Sequence, residues 1–376
     1  MNLEHVRSLF PHLKTDQVYF NHAAIAPWCR LAIDRISEYT NQRSGEKIEN
    51  FSNILKWNSG AKEKLGKLIN APSHRIAWVE NVSNGLNILA QGLNWKTGDR
   101  VILNNWEFPS NIYPFMNLKN YGVEIDFINS DNGEISVEEI EKLVTSKTKL
   151  ISISSVQFLS GYRTDLNAIG ELCKSKGIIF CVDAIQSTGV IQTDVEKAKI
   201  DFLAGGTHKW LMSSQGLSYI YLTEELQSRI DQKFVGWTSV KNSWDFLDYK
   251  LEFRNTAERF QNGTINALGV AVLDSVISIF IEFGMENVEE RIIQNTNYLI
   301  NGLDKIGIEP ILKNIPEENR AGIVSFKHEK AQAVFEELEK RNIYTAMRSG
   351  MLRISPHFYN TIDEIENFIN ELKSIF

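Results

Sequence analysis

From about residue 75 to 222, short β-branched runs alternate with segments of helical period, the pattern of a mostly parallel sheet covered on both faces. Strands are expected at Ile76–Val79, Arg100–Leu103, Val123–Ile128, Lys149–Ser154, Ile178–Asp183, Asp201–Ala204 and Leu217–Leu222. Helical period spans Pro109–Asn120, Val137–Thr145 and Leu166–Ser175, with Gly122 and Gly177 where helices would stop. Beyond about residue 265 the pattern changes to two long helical stretches, Ile265–Phe283 and Asn287–Ile306. Short strands follow near Ile323–Phe326, Tyr344–Arg348 and Met351–Ser355, and an amphipathic helix, Thr361–Phe376, ends the chain. This predicts an α/β protein with a large domain over residues 15–255 and a smaller C-terminal α+β domain over 256–376, which also takes in part of 1–14.

Composition narrows the class. With 376 residues, 43% apolar and 23% charged, the chain is long enough for two cores and reads as globular. The net charge of -7, with basic residues scattered among carboxylates, leaves no footprint for nucleic acid. No run approaches the roughly 18 apolar residues of a membrane span. The opening MNLEHVRSLFPHL has no apolar core of a secretory signal, so the expected location is cytoplasmic. Three cysteines, Cys29, Cys173 and Cys181, fit no disulfide framework and no metal pattern; Cys181 reads as a small core residue.

The chemistry starts at the strand ends. Ile178–Asp183 is an apolar run ending in a carboxylate and followed by Ala184 and Gln186. Ligands of open α/β sheets sit beyond the carboxyl ends of strands, which places Asp183 toward a bound group, although an Asp there can also serve as a turn cap. The next strand runs through Gly205-Gly206-Thr207-His208 into Lys209, followed by Trp210, Leu211 and Met212. Paired glycines let a backbone approach a ligand, and apolar neighbours strip water from an amine and make its neutral form available. A lone lysine is usually a solvated surface group. An acid and a lysine at successive strand ends are, however, what pyridoxal 5′-phosphate (PLP) requires: the acid keeps the pyridine nitrogen protonated and the amine takes the aldehyde carbon.

The run VDAIQ followed by GGTHKWL resembles the cofactor-binding signature of class V aminotransferases, the PLP-dependent family that includes cysteine desulfurases, kynureninase and isopenicillin N epimerase. Further matches extend from about residue 18 to 365. The resemblance implies the type I PLP-dependent transferase fold, with Lys209 carrying the cofactor as a Schiff base. Glu80-Asn-Val-Ser83-Asn84-Gly85 resembles the family's phosphate-binding turn, where a helix N-terminus offers free N–H groups to a dianion. Ser83 stands where the family usually has Thr, and it could also be a plain N-cap. By the same resemblance Phe108 stacks over the pyridine ring, Ala184 packs on its other face, and Gln186 and Gln157 reach the phenolic oxygen. Thr207 and His208 approach the phosphate, with Thr207 the hydroxyl donor because Gly206 replaces the Ser of many desulfurases.

Arg259-Phe-Gln-Asn-Gly263-Thr264 resembles the segment that reaches the neighbouring subunit's phosphate, which implies a homodimer with Thr264 in that role. Arg353 matches the arginine that holds the substrate carboxylate, a role suited to the guanidinium fork. Asn21-His22-Ala23 resembles the segment lining the substrate entrance, so Asn21 and Ala23 are candidate substrate contacts, while His22 could be structural.

These residues predict an enzyme that acts on a small α-amino acid by transamination or by lyase- or epimerase-type chemistry. Arg348-Ser-Gly-Met-Leu352 has neither a cysteine nor the length of the loop that carries the desulfurase nucleophile, and Cys29 is a weak substitute. The alternatives are a desulfurase or C–S lyase working without a loop cysteine, or a non-catalytic scaffold on the same fold. A nicotinamide dehydrogenase lacks its G-x-G-x-x-G here.

Overall fold

The computed structural model describes all residues, 1–376. A short strand near the N-terminus, β1 (Val18–Tyr19), leads to two helices, Arg30–Asn41 and Phe51–Ile69, and then to seven strands. These are β2 (Ile76–Val79), β3 (Arg100–Asn104), β4 (Glu124–Ile128), β5 (Thr148–Ser154), β6 (Ile179–Asp183), β7 (Phe202–Gly206) and β8 (Ser218–Leu222). They form one sheet in the order β2-β8-β7-β6-β5-β3-β4. Only β8 runs against the rest, pairing antiparallel with both β2 and β7. The carboxyl ends of β2, β3, β5, β6 and β7 therefore share one edge.

Alternation along the strands explains why the sheet is covered on both sides. In β6, Phe180 and Val182 belong to one apolar core while Ile179 and Cys181 belong to another. A third core, with Phe20, Leu299, Leu352 and Phe368, lies under a smaller sheet. That sheet consists of β9 (Val324–Lys327), β11 (Ala346–Arg348) and β12 (Met351–Ile354) in the order β11-β12-β9. The preceding strand, β10 (Ile343–Tyr344), pairs parallel with β1, and Asn21 bridges to Ser355, so the N-terminal segment crosses next to β12.

Most of the predicted elements appear close to their expected bounds, including Leu166–Lys176 with Gly177 as its left-handed C-cap. Pro109–Asn120 is a correction. It breaks into a 3-10 turn at Pro109–Asn111, one α turn at Tyr113–Met116 and another 3-10 turn at Asn117–Tyr121. Pro114, the sixth residue of that span, lacks the N–H that a continuous helix would bond to the Ser110 carbonyl, whereas Pro109 suits a helix start. The expected strand Tyr344–Arg348 is likewise divided, since its first residues pair with β1 and its last with β12. The helix Ala331–Lys340 was not read from the sequence. No single helix is long and apolar enough to cross a membrane.

Candidate active site

The shared edge of the sheet gathers most of the residues singled out above. Asp183 is the last residue of β6 and is buried; its Oδ1 accepts a hydrogen bond from the Ile185 N–H at 3.0 Å. Burial raises its pKa to about 6, against the lowering effects of that N–H and of Lys209. Lys209 lies three residues beyond β7. Burial lowers its pKa to about 8, with Asp183 acting in the opposite direction and Arg353 and Arg348 reinforcing the shift. Acid and amine thus act on each other through space without forming an ion pair, and a neutral amine is accessible near physiological pH.

The Phe108 ring centroid is 5.8 Å from Lys209 Nζ. The ring is 44% exposed and packs edge-on against Phe158 at 5.3 Å. It follows β3, where Pro109 fixes the chain's exit. Ala184 is fully buried, its N–H bonded to the Ala204 carbonyl at 2.8 Å, which splices the turn after β6 to β7.

After β2 the helix Val82–Gly92 begins with its N-terminus at this edge. Its cap is Asn81, whose side chain accepts from Asn84 N at 2.8 Å, so Ser83 is not the N-cap. Ser83 Oγ bonds Ser110 Oγ at 2.8 Å, and the Asn84 amide donates to Glu80 Oε2 at 2.9 Å. Thr264 is exposed and lines, with Glu80, Asn84 and Gln261, a cleft of about 780 Å³ on this chain.

Other residues are engaged within the protein. Thr207 Oγ1 faces the Ser214 and Leu217 carbonyls at 3.0 and 2.7 Å, so its single hydrogen is committed inside its own loop. Gln157 accepts from Leu159 N and Ser160 N, both at 2.7 Å, and donates to the Trp106 carbonyl, bracing the loop after β5. Gln186 donates to the Ala23 carbonyl at 3.1 Å and accepts from the Trp210 indole at 2.7 Å, which leaves one amide hydrogen free. His208 is half-buried, and desolvation followed by the Lys209 charge lowers its pKa to about 4. His22 is wholly buried between the Ser355 carbonyl at 2.9 Å and the Tyr359 hydroxyl at 2.6 Å, a structural placement.

Arg353 enters from β12. It is 2% exposed, donates from Nη1 to the Phe158 carbonyl at 2.8 Å, and has no partner at its buried Nε. Burial, then Arg348, lowers its pKa to about 10. Asn21 Oδ1 is also buried without a partner, and the Ala23 N–H donates to Ser355 Oγ at 3.1 Å. A guanidinium held in a dry place without a carboxylate beside it is suited to pairing with an anion.

Glu107 was not found from the sequence. Its buried carboxyl accepts from Ser154 N at 2.7 Å and from the Ser154 hydroxyl, one strand away from Asp183. Burial raises its pKa to about 7, with Asp183 adding to the rise. An acid between two aromatics and ahead of a proline, Trp106-Glu107-Phe108-Pro109, is the only local hint. The cysteines are all buried, and burial raises the thiol pKa of Cys29.

Comparison with known proteins bears on this arrangement. The sequence profile of Aminotransferase class-V matches residues 18–368. An uncharacterized aminotransferase, YcbU of Bacillus subtilis, is 26% identical over 98% of this chain and 97% of its own length. The apo structure of a cysteine desulfurase from Thermococcus onnurineus superposes with a TM-score of 0.90 at 24% identity, covering 99% of this chain and 97% of that one. A C-DES mutant with glycine covalently linked to its PLP cofactor superposes at 0.89 with 22% identity, covering 98% of each chain.

Proposed function

Because the chain belongs to the Aminotransferase class-V family, we propose that it is a PLP-dependent enzyme acting at the α-carbon of a small amino acid, with Lys209 as its catalytic base. The observation that carries this reading is the pairing of Asp183 and Lys209 across one buried strand edge, each perturbed by burial and by the other. The set of groups suits the cofactor: an acid, an amine, an aromatic face and a helix N-terminus converge beyond the carboxyl ends of parallel strands. Arg353 Nε, buried and unpartnered, adds a place for a carboxylate.

When bound, PLP draws electrons from the substrate α-carbon into its pyridine ring. Asp183 holds the proton at the ring nitrogen, and Phe108 and Ala184 enclose the ring and exclude water. The first turn of the helix Val82–Gly92, with Ser83 and Asn84, would hold the phosphate, with His208 at its approach. Lys209, its amine largely unprotonated above about pH 8, takes and returns the proton at the α-carbon. Arg353 orients the substrate by its carboxylate beside Asn21 and Ala23. Gln186 and Gln157 each keep one amide hydrogen available for the phenolic oxygen.

A desulfurase route through a protein persulfide has no support, since β11 and β12 are joined by the two-residue turn Ser349–Gly350 and all three cysteines are buried. A scaffold role is disfavoured because a buried arginine without a carboxylate partner, beside a half-buried lysine, costs stability that a bound anion would offset. We place the protein in the cytoplasm as a homodimer. The exposed cluster of Trp237, Trp244 and Phe246, whose rings contact one another at 5.5 to 6.2 Å, supports a second copy covering that face, with Thr264 near the subunit boundary.

The test feeds a panel of amino acids to the purified protein and assays keto acid, ammonia, sulfide and inverted stereochemistry separately. The protein is expected to be yellow, and Lys209→Ala to lose both colour and turnover. A colourless protein that PLP does not change would overturn the reading.

A further inference from the structure

Two arginines occupy the same face of the hairpin formed by β11 and β12. Its register pairs Ala346 with Arg353, Met347 with Leu352 and Arg348 with Met351. Opposed residues of an antiparallel pair point to the same side, and so do alternate residues of one strand, so Arg348 and Arg353 are diagonal neighbours on one face. That face is turned to the site. Arg353 Nη1 meets the Phe158 carbonyl at 2.8 Å, Phe158 packs on Phe108, and Phe108 faces Lys209.

Arg348 has no acidic partner. Its only side-chain hydrogen bond goes to the carbonyl of the adjacent Met347 at 2.7 Å. The turn that follows has Ser349 at φ 49° and Gly350 at φ 76°, a tight hairpin that fixes where the strand ends. Arg348 is exposed, at the outer end of the face on which Arg353 is buried. Its charge reaches inward, lowering the pKa of both Lys209 and Arg353. Two guanidiniums therefore border the place where a substrate would lie, and the carboxyls nearby are otherwise occupied. Asp183 faces the ring nitrogen in the reading above, and Glu107 is bound to Ser154.

Resting on that reading, we propose that the substrate is an α-amino acid whose side chain ends in a carboxylate or sulfinate, with Arg353 holding the α-carboxylate and Arg348 the distal anion. Without the second anion, Arg348 opposes the charge of Arg353 with nothing to offset it. With it, each guanidinium has its own oxyanion, and the rigid hairpin sets the spacing between the two. Aspartate, glutamate and cysteine sulfinate have the chemistry this arrangement would select.

The experiment measures exchange of the α-hydrogen for solvent deuterium by NMR on the holoenzyme, a readout independent of which product follows. Aspartate is compared with asparagine, glutamate with glutamine, and cysteine sulfinate with alanine. The anionic members are expected to exceed their neutral counterparts in kcat/KM by about tenfold or more. Arg348→Gln is expected to reduce that ratio to within about threefold, and Arg348→Lys to restore part of it. Equal rates in the wild type, or a ratio that Arg348→Gln leaves intact, would overturn the proposal while the enzyme assignment stands. If no amino acid exchanges and no colour forms, the enzyme assignment fails and this proposal with it.

Discussion

His357 donates its Nε2 hydrogen to the Trp210 carbonyl at 2.9 Å, joining the segment after Arg353 to the loop that carries Lys209. The tautomer follows from geometry: Phe358 N donates to His357 Nδ1 at 2.9 Å, so Nδ1 must be the acceptor and Nε2 must carry the proton. Burial lowers the His357 pKa to about 4, which keeps the ring neutral over the working range. Trp210 continues the link through its indole to Gln186, and Gln186 through its amide to Ala23. Four segments, at His357, Trp210, Gln186 and Ala23, are fixed to one another around the lysine.

His357→Ala leaves the Trp210 carbonyl unpartnered and a space beside it, at a cost of about 2–4 kcal/mol in stability. Because the lysine loop loses its tie to the Arg353 strand, kcat is expected to fall by about tenfold while KM changes little. His357→Gln keeps a donor and is expected to recover most of kcat. A variant that loses stability with kcat intact would show that the link is structural only.

The amine of Lys209 has a folded-state pKa lowered from 10.5 to about 8. Between those two values the unfolded chain binds the proton and the folded protein does not, so this residue's contribution to stability rises with pH across that window. In the same molecule the nucleophilic amine becomes available as pH approaches 8. The rate of PLP uptake by the apoprotein, followed by its visible absorbance, is expected to rise with pH and level off above about pH 8. A flat profile between about pH 6 and 9 would contradict this.

What the sequence made legible follows from how local each signal is. Ile178–Asp183 announced a buried strand because parallel sheets covered on both faces read as unbroken apolar runs, and Asp183 marked its end. Gly177 marked a helix stop because its φ of 67° is costly for other residues. The broken helix after Phe108 was missed by weighing apolar period above Pro114. Glu107 was hidden for a different reason: the group that holds its carboxyl, Ser154, is 47 residues away, and no local pattern records a partner at that distance. The hydroxyl of Thr207 was hidden likewise, since its acceptors belong to the turn that follows Lys209.

Glu107 gives a prediction with the opposite pH sign. Its folded-state pKa is raised from 4.5 to about 7, so across that window the folded protein keeps a proton that the unfolded chain has released. Its contribution to stability is therefore lost as pH rises from about 4.5 to 7. Gln at this position can still accept from Ser154 N and donate to the Ser154 hydroxyl without titrating. The Tm of Glu107→Gln relative to wild type is expected to improve between about pH 5 and pH 7 and to level off above that. Parallel Tm curves would mean that Glu107 does not titrate in this range.

The paired glycines before the lysine loop are not equivalent. A Cβ on Gly205 would stand 2.5 Å from Cζ of Tyr219, its register partner on β8. Tyr219 is wholly buried, and its hydroxyl is bonded to Thr188 at 2.7 Å, so the ring has little room to retreat. A Cβ on Gly206 would instead meet the Ile185 side chain, at 2.7 Å from Cδ1, and Ile185 is only half-buried. Gly205→Ala is therefore expected to lower stability by about 1–3 kcal/mol and Gly206→Ala by less than about 1 kcal/mol, measured by denaturant unfolding. Equal losses at the two positions would show that the whole loop, rather than the Tyr219 ring, sets the limit. Greater loss at Gly206 would put the close approach on the Ile185 side, where the turn after Asp183 passes the lysine loop.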